Sequence, residues 1–245
     1  MNSKIIFNRA SHTMKNQYYI CDNIGKILFY CDDVIECHDF SGMGYCYLFA
    51  LLGISDQNVS HLLDDQPVTL RSSCFSDRFS IEFLIKRLIK ISDDVLYLYV
   101  EDIRQGMYEF GALSLLKIHG NDDGRIWLDM KGDTKRIYIA ASYLVNGEKY
   151  ILDDKPMIIE GKYIHDYYSF FCEVGYSFFG GFGYVGDSIY SLDDYFSKLR
   201  KIDVVWKDSS ISLKAIDNTI PAGYRGRSSY DLLSILEGSC NLMLD

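Results

Sequence analysis

Carboxyl and phenol side chains recur at helical spacing near residue 190. Asp187, Tyr190 and Asp194 stand at positions i, i+3 and i+7, which places them on one face of a helix. The opposite face is apolar and consists of Ile189, Leu192, Phe196 and Leu199. We therefore predict a helix from Ser188 to Leu199, capped by Ser188, whose apolar face is buried and whose acidic and phenolic face projects outward.

A glycine- and aromatic-rich segment precedes this helix and adds candidate contact residues. Aromatic rings act as desolvated anchors at protein interfaces, and carboxylates supply charge complementarity. The predicted partner surface consists of Phe182, Tyr184, Asp187, Tyr190, Asp193 and Asp194. Its chemistry suits a cationic cleft on another protein. The alternative is a solvated acidic helix face, which is common on proteins.

The same segment, Gly181 to Gly186, spells the G-x-G-x-x-G pattern of dinucleotide-binding turns. That fingerprint needs a strand before it and a helix directly after it, so that backbone amides meet a pyrophosphate. Here a helical, Phe- and Tyr-rich stretch precedes the glycines, and Asp187 stands where the anion would lie. We therefore interpret the glycines as a loop that positions Tyr184.

Composition limits the classes of partner. The chain has 245 residues and a formal charge of −9, and such an excess of acid repels nucleic acid and anionic membrane surfaces. The longest apolar run, Tyr45 to Ile54, is too short to cross a bilayer, and the first ten residues lack the apolar core of a signal peptide. We expect a cytoplasmic protein that binds neither nucleic acid nor membrane.

Cysteine usage gives no sign of a metal centre. The seven cysteines form an odd set without a C-x-x-C pair, and in a reducing compartment we expect them to be small buried hydrophobic residues. Cys37-His38-Asp39 is the only tight group of Cys with His and Asp, and adjacent residues rarely ligate one ion together. We expect no metal and no cofactor.

A small hydrolase is the alternative from another functional class. It would use Cys46 or Cys37 beside a histidine, for example Cys46 with His119, or a pair of carboxylates in the first part of the chain. Asp193 and Asp194 do not form an acid–base pair, because neighbouring residues on a helix diverge. The sequence contains neither G-x-S-x-G nor H-E-x-x-H. We therefore expect a binding protein without catalytic activity.

The first 152 residues are predicted to form an α+β domain with antiparallel hairpins. One hairpin turns at Asn23-Ile24-Gly25, and a second joins Arg136–Val145 to Glu148–Leu152 through Asn146-Gly147, which suits a type I′ turn. Apolar residues at helical spacing predict a helix from Phe79 to Ile91. Val95–Val100 is predicted as a strand, whereas the apolar run Tyr45–Leu52 fits either a helix or a strand.

The last third, residues 153–245, begins with a charged, Pro-containing connection at residues 153–156 and then shows a different pattern of predicted elements. Short strands alternate with helices, which favours an α/β domain with a small parallel sheet. The predicted strands are Met157–Glu160, Val204–Trp206 and Asn241–Leu244, and the predicted helices are Asp166–Val174, Ser188–Leu199, Ser210–Ile216 and Tyr230–Glu237.

This last third resembles the barstar family of ribonuclease inhibitors. Within Gly183–Asp194, Gly186, Leu192 and Asp194 fit the family pattern directly. The segment Val205–Ser209, the helix Tyr230–Glu237 and the final strand are similar to the corresponding parts of family members. The resemblance implies a barstar-like three-layer domain with about four helices.

In the barstar family, the second helix and the loop before it plug the active site of a nuclease, and acidic side chains stand in for substrate phosphates. By this resemblance Asp194 matches one helix acid, Tyr190 occupies the place of the other, and Ser188 replaces the family's Asn. The resemblance implies an immunity or antitoxin-type protein. Its partner is expected to be a protein toxin, a ribonuclease with a basic active-site cleft, other than barnase itself. An open alternative places the partner site on the first domain and leaves the barstar-like part as a scaffold.

Overall fold

The computed structural model describes residues 16–37, 46–55, 66–102, 107–147, 156–220 and 228–245. These residues form two compact units. The first unit comprises Met1–Cys74 and Glu82–Glu101, and the second comprises Phe75–Ile81 and Asp102–Asp245. The chain therefore divides close to residue 102, whereas the expected boundary lies near residue 152.

The first unit is built on a seven-stranded sheet. Its strands are β1 (Tyr18–Asp22), β2 (Ile27–Cys31), β3 (Asp33–Cys37), β4 (Cys46–Leu52), β5 (Gln66–Ser72), β6 (Ile81–Ser92) and β7 (Val95–Asp102). Their order is β2-β1-β5-β6-β7-β4-β3. The predicted hairpin of β1 and β2 is confirmed, since these strands pair antiparallel. Within the ambiguous run Tyr45–Leu52, the described residues Cys46–Leu52 form a strand.

This sheet closes on itself into a barrel. Its two outermost strands, β2 and β3, are consecutive in sequence and separated by Asp32 alone. Beyond β4, the Ser55 amide donates to the Tyr30 carbonyl oxygen at 3.0 Å, and the Asp32 amide donates to the Leu52 carbonyl oxygen at 2.8 Å. The continuous segment of β2 and β3 therefore pairs with β1 along its first half and with β4 along its second half, and the two pairings meet around residues 30–32. The core contains Ile20, Phe29, Cys31, Leu70, Phe83, Ile85 and Leu98.

The predicted helix from Phe79 to Ile91 is wrong, because this segment is the twelve-residue strand β6. Its first half alternates between buried and partly exposed residues, with Ile81, Phe83 and Ile85 buried. The dense isoleucines fit a helical stripe and a strand equally well. The segment forms a strand because it pairs with β5 on one side and β7 on the other, and β-branched residues pack well in strands.

The second unit contains six α-helices and three strands in its described residues. They are α1 (Ala112–His119), α2 (Lys135–Asn146), β8 (Met157–Glu160), α3 (Tyr167–Phe179), α4 (Ile189–Ser197), β9 (Ile202–Lys207), α5 (Ser209–Asp217), α6 (Ser228–Ser239) and β10 (Cys240–Leu244). The predicted order of strands and helices from residue 157 onward is confirmed. No described helix combines the length and the hydropathy that a bilayer crossing requires.

The predicted hairpin around Asn146-Gly147 is wrong. Residues 135–146 form α2, and the Gly147 amide donates to the Tyr143 carbonyl oxygen at the end of that helix. The Gly147 φ of 55° suits glycine at a helix end as well as in a tight turn. The proposed second strand, Glu148–Leu152, lies outside the described residues.

The predicted small parallel sheet is confirmed, with strand order β10-β9-β8 and parallel pairing throughout. One face packs on helices, and the Trp206 ring lies 5.4 Å from the Phe170 ring of α3. On the other face Ile158 and Met243 are exposed. The described residues thus form a sheet with helices against one face, and the barstar-like three-layer arrangement stays a prediction.

Candidate functional site

The start of α4 is held by a compact set of hydrogen bonds. The Ser188 hydroxyl accepts from the Ser191 amide, and the Ser191 side chain accepts from the Ser188 amide at 3.0 Å, which makes a capping box. The Ser191 hydroxyl also donates to an Asp187 carboxylate oxygen at 3.0 Å. The predicted N-cap is confirmed, and the first turn of α4 has a fixed geometry.

The outward face predicted for α4 is present. Leu192 and Phe196 are fully buried, whereas Tyr190 is 85% exposed and Asp193 and Asp194 are exposed. We call Tyr190, Asp193 and Asp194 the α4 surface. Asp187 is only half-buried and lies at the margin of this surface.

Phe182 and Tyr184 are not surface anchors, which corrects the predicted contact set. Both side chains are buried. The Phe182 ring stacks on the Tyr138 ring at 4.9 Å, and the Tyr184 ring lies 5.0 Å from Tyr143. Because α2 supplies these partners, the two rings belong to the apolar core. The sequence predicts a hairpin where α2 lies, and therefore does not predict that these rings are buried.

The loop before α4 is fixed by two close backbone approaches. A Cβ on Gly183 would overlap the Gly175 carbonyl oxygen in α3, and a Cβ on Gly175 would overlap the Gly183 carbonyl oxygen. Between Gly181 and Gly183, Phe182 has a φ of 54°, a conformation that is strained for a bulky residue. The Phe182 amide donates to the Tyr138 hydroxyl at 2.8 Å and its carbonyl oxygen accepts from Asn146 at 2.6 Å. The G-x-G-x-x-G pattern thus follows a helix and serves packing.

Charge on the α4 surface is partly compensated within the helix. Asp194 pairs with Lys198 one turn later at 2.6 Å, and both side chains are largely exposed. Exposed ion pairs of this kind contribute little to stability, so the pair does not bind Asp194 strongly to Lys198.

A second helix adds an exposed tyrosine that sequence analysis missed. α6 packs against α4, and Tyr230 in its first turn is 66% exposed. Among the described residues, Tyr190 and Tyr230 are the two aromatic side chains that are mostly exposed. Tyr230, Ser234 and Glu237 share a helical face, a spacing that could have identified it.

A shallow depression adjoins Asp187. It is lined by Met107, Glu109, Arg136, Ile139, Ala140 and Asp187. Arg136 forms an ion pair with Glu109 at its rim. Burial raises the pKa of the neighbouring Tyr168, and the positive charge of Arg136 opposes that shift. The lining of the depression therefore combines apolar side chains with charges of both signs.

Two buried ion pairs hold α3 in place, and neither could be found from sequence spacing. Arg125 donates to both carboxylate oxygens of Glu173, at 2.7 and 3.0 Å, and its guanidinium lies 4.2 Å from the ring centres of Tyr163 and Tyr176. Lys135 reaches the N-cap residue of α3, Asp166, at 2.6 Å. The two residues of each pair lie far apart in the chain, and both pairs stabilise the fold.

Of the cysteine and histidine candidates for a hydrolase, the structure describes the side chains of Cys37 and His119. His119 pairs with Asp122 at 2.7 Å and is partly exposed, and the Cys37 thiol contacts the Ile35 carbonyl oxygen. His38, Asp39 and the side chain of Cys46 lie outside the described residues. No group of three or more His, Cys, Asp or Glu residues that could hold a metal ion occurs within the described ranges.

The expectation for the cysteines holds in part. Four described thiols are buried, Cys37 is half-buried, and Cys74 is exposed. Burial raises the pKa of the Cys172 thiol well above its ordinary value, and burial likewise raises that of Cys21. A raised pKa suppresses the thiolate, so these two residues are poor nucleophiles.

Comparison with known proteins adds no family assignment. Scans of family models, of curated proteins and of solved structures each find no match to this chain.

Proposed function

We propose that this chain is an immunity or antitoxin-type protein that binds a protein toxin and blocks its active site. The α4 surface is the contact, and a ribonuclease with a basic active-site cleft is the partner. The observation that carries the proposal is an almost fully exposed tyrosine, Tyr190, beside Asp193 and Asp194 on a helix whose start is fixed. A fixed helix presents such groups without a large entropic cost on binding.

The mechanism is steric occlusion guided by charge. Asp194 exchanges Lys198 for a basic residue of the cleft, while the Tyr190 ring fills apolar or base-stacking space. Tyr230 extends the surface across α6. In this proposal the chain has no catalytic role, needs no cofactor, and acts in the cytoplasm.

The order of elements in the second unit supports a barstar-like domain. Three parallel strands and the helices α3, α4, α5 and α6 follow the order that the resemblance implies. The additional helices α1 and α2 pack with this domain, since α1 contacts α2 and α2 contacts α3. The domain we propose therefore begins near residue 102.

The direct experiment is an inhibition assay with the full-length chain. Ribonuclease toxins with basic active-site clefts, barnase-type enzymes included, are titrated with the protein while RNA cleavage is followed. The proposal predicts that at least one is inhibited at a one-to-one ratio. Full activity of every ribonuclease at saturating protein, together with no binding by calorimetry, contradicts a ribonuclease target.

A further inference from the structure

The parallel sheet carries an apolar row on the face opposite to its helices. Ile158 of β8 and Met243 of β10 are both in register with Val205 of β9. Ile158 is 44% exposed and Met243 is 64% exposed, whereas the helix-facing Val204 and Trp206 are fully buried. Three neighbouring strands thus present one apolar side chain each at the same level.

An exposed face is unusual for a sheet of this kind. All-parallel sheets occur almost entirely with both faces covered, and antiparallel sheets are the ones that tolerate solvent on one side. The exposed apolar row is therefore a candidate contact for a partner.

Opposite charges flank the apolar row along β9. Asp203 and Lys207 share the face of Val205 and lie two residues before and after it, about 6.6 Å in each direction. Asp203 accepts from the Asn241 amide group at 2.8 Å, and Lys207 donates to Glu160 at 2.9 Å. Along its central strand, this face therefore carries an acidic, an apolar and a basic side chain in that order.

When two copies of this face meet about a twofold axis, two arrangements are possible, and the charges are complementary in one of them. A twofold axis between two facing sheets can run across the strands or along them. An axis across the strands makes the two β9 strands antiparallel, so that Asp203 faces Lys207 of the second copy and Val205 faces Val205. An axis along the strands places Asp203 on Asp203 and Lys207 on Lys207, which is repulsive.

The charges next to this central strand are compatible with the antiparallel arrangement. Glu160 is held by Lys162 as well as by Lys207 and keeps these partners within its own copy. Asp245 continues the β10 ladder, since its amide donates to the Trp206 carbonyl oxygen. The same axis brings Asn241 opposite Asp245 of the second copy, so that an amide donor meets a carboxylate.

We propose that this face binds a second copy of the chain, sheet against sheet with β9 antiparallel to β9, and forms a twofold dimer. The patch is small, so the dimer is weak and dependent on concentration. The contact uses residues other than those of the α4 surface and does not depend on the function proposed above.

Sedimentation of the full-length chain tests the dimer. Wild type shifts from monomer to dimer as its concentration rises toward ~1 mM. Met243→Asp places a charge in the apolar row and keeps the protein monomeric. Ile211→Asp, at a 66% exposed position on α5, is the control and leaves dimerisation unchanged. A wild-type chain that stays monomeric, or a Met243→Asp variant that dimerises like wild type, overturns the proposal.

Each single charge reversal distinguishes this arrangement from a dimer with its axis along the strands, because like charges already face each other there in wild type and a single reversal leaves that dimer nearly unchanged. Asp203→Lys and Lys207→Asp each place like charges against each other and weaken self-association about tenfold. An equimolar mixture of the two variants restores dimers, because both contacts then pair opposite charges. Melting curves verify that both variants are folded. A mixture that associates no better than either variant alone rejects the antiparallel arrangement.

Discussion

Asp194 contributes little to the fold, and the proposed function gives it a larger role in partner binding. Its pair with Lys198 is exposed, so solvent screens it and the pair adds little to stability. In a desolvated cleft the same carboxylate would face a buried cation, where an unpaired charge is costly. The contribution of Asp194 is therefore expected in binding rather than in folding.

Replacing Asp194 with Ala should weaken toxin binding by about 2 kcal/mol or more, because the partner's buried cation is left without its carboxylate. Calorimetry with the ribonuclease that the wild type inhibits measures the change. Asp93→Ala is a matched control, since Asp93 forms a comparable exposed ion pair with Lys90 at 2.9 Å in the first unit. Equal affinity of wild type and Asp194→Ala removes this residue from the site.

Glu173 represents the opposite case, a charge that belongs to the fold. Glu173→Gln should lower the free energy of unfolding by about 3 kcal/mol, because Arg125 would remain charged and largely buried without its partner. Urea denaturation measures the loss, and Glu237→Gln on the exposed face of α6 is the control. An unfolding free energy within experimental error of wild type contradicts this role for the ion pair.

The loop between α3 and α4 shows how an element acquires its position. Gly175 and Gly183 allow two backbones to approach within a distance that no side chain permits. The hydrogen bonds to Tyr138 and Asn146 then hold Phe182 in its left-handed conformation. This loop thereby determines where the first turn of α4 begins.

Gly183→Ala should destabilise the second unit by about 1–3 kcal/mol, because the added methyl group forces the loop away from α3. Thermal unfolding measures the effect, and weaker toxin inhibition should accompany it because α4 is displaced. Gly124→Ala is the control, since nothing lies within 4 Å of an added Cβ there. A Gly183→Ala protein as stable as the control would show that the close approach is not needed.

The elements also show which parts of the fold can be predicted from sequence. Strands and helices from residue 157 onward followed from capping residues and clear periodicity, as with Asp166 and Ser188. β6 was misassigned because its isoleucines satisfy two periods, and α2 because Asn-Gly ends helices as well as hairpins. In both segments the secondary structure is determined by pairing or packing with distant residues, which local sequence patterns do not reveal.

For the candidate site, the helix face was predictable, whereas the burial of its neighbours was not. Periodicity correctly oriented Tyr190 and Asp194 outward and Leu192 inward. Phe182 and Tyr184 are buried by partners on α2, about 40 residues earlier in the chain. Aromatic content in a glycine-rich loop therefore does not distinguish an interface anchor from a core residue.

At the scale of the whole molecule, the chain combines a closed antiparallel barrel with an α/β unit. The described residues of the barrel bury an apolar core. The two units correspond to two alternative partner-binding sites: the α4 surface, which we propose, and a surface of the barrel.

Hydrogen–deuterium exchange tests the central claim most directly. The full-length chain is compared alone and in complex with the ribonuclease that it inhibits. The account predicts new protection of residues 187–198 and of the start of α6, with unchanged exchange in β1–β7. Protection confined to the barrel strands, with no change across α4, would contradict it.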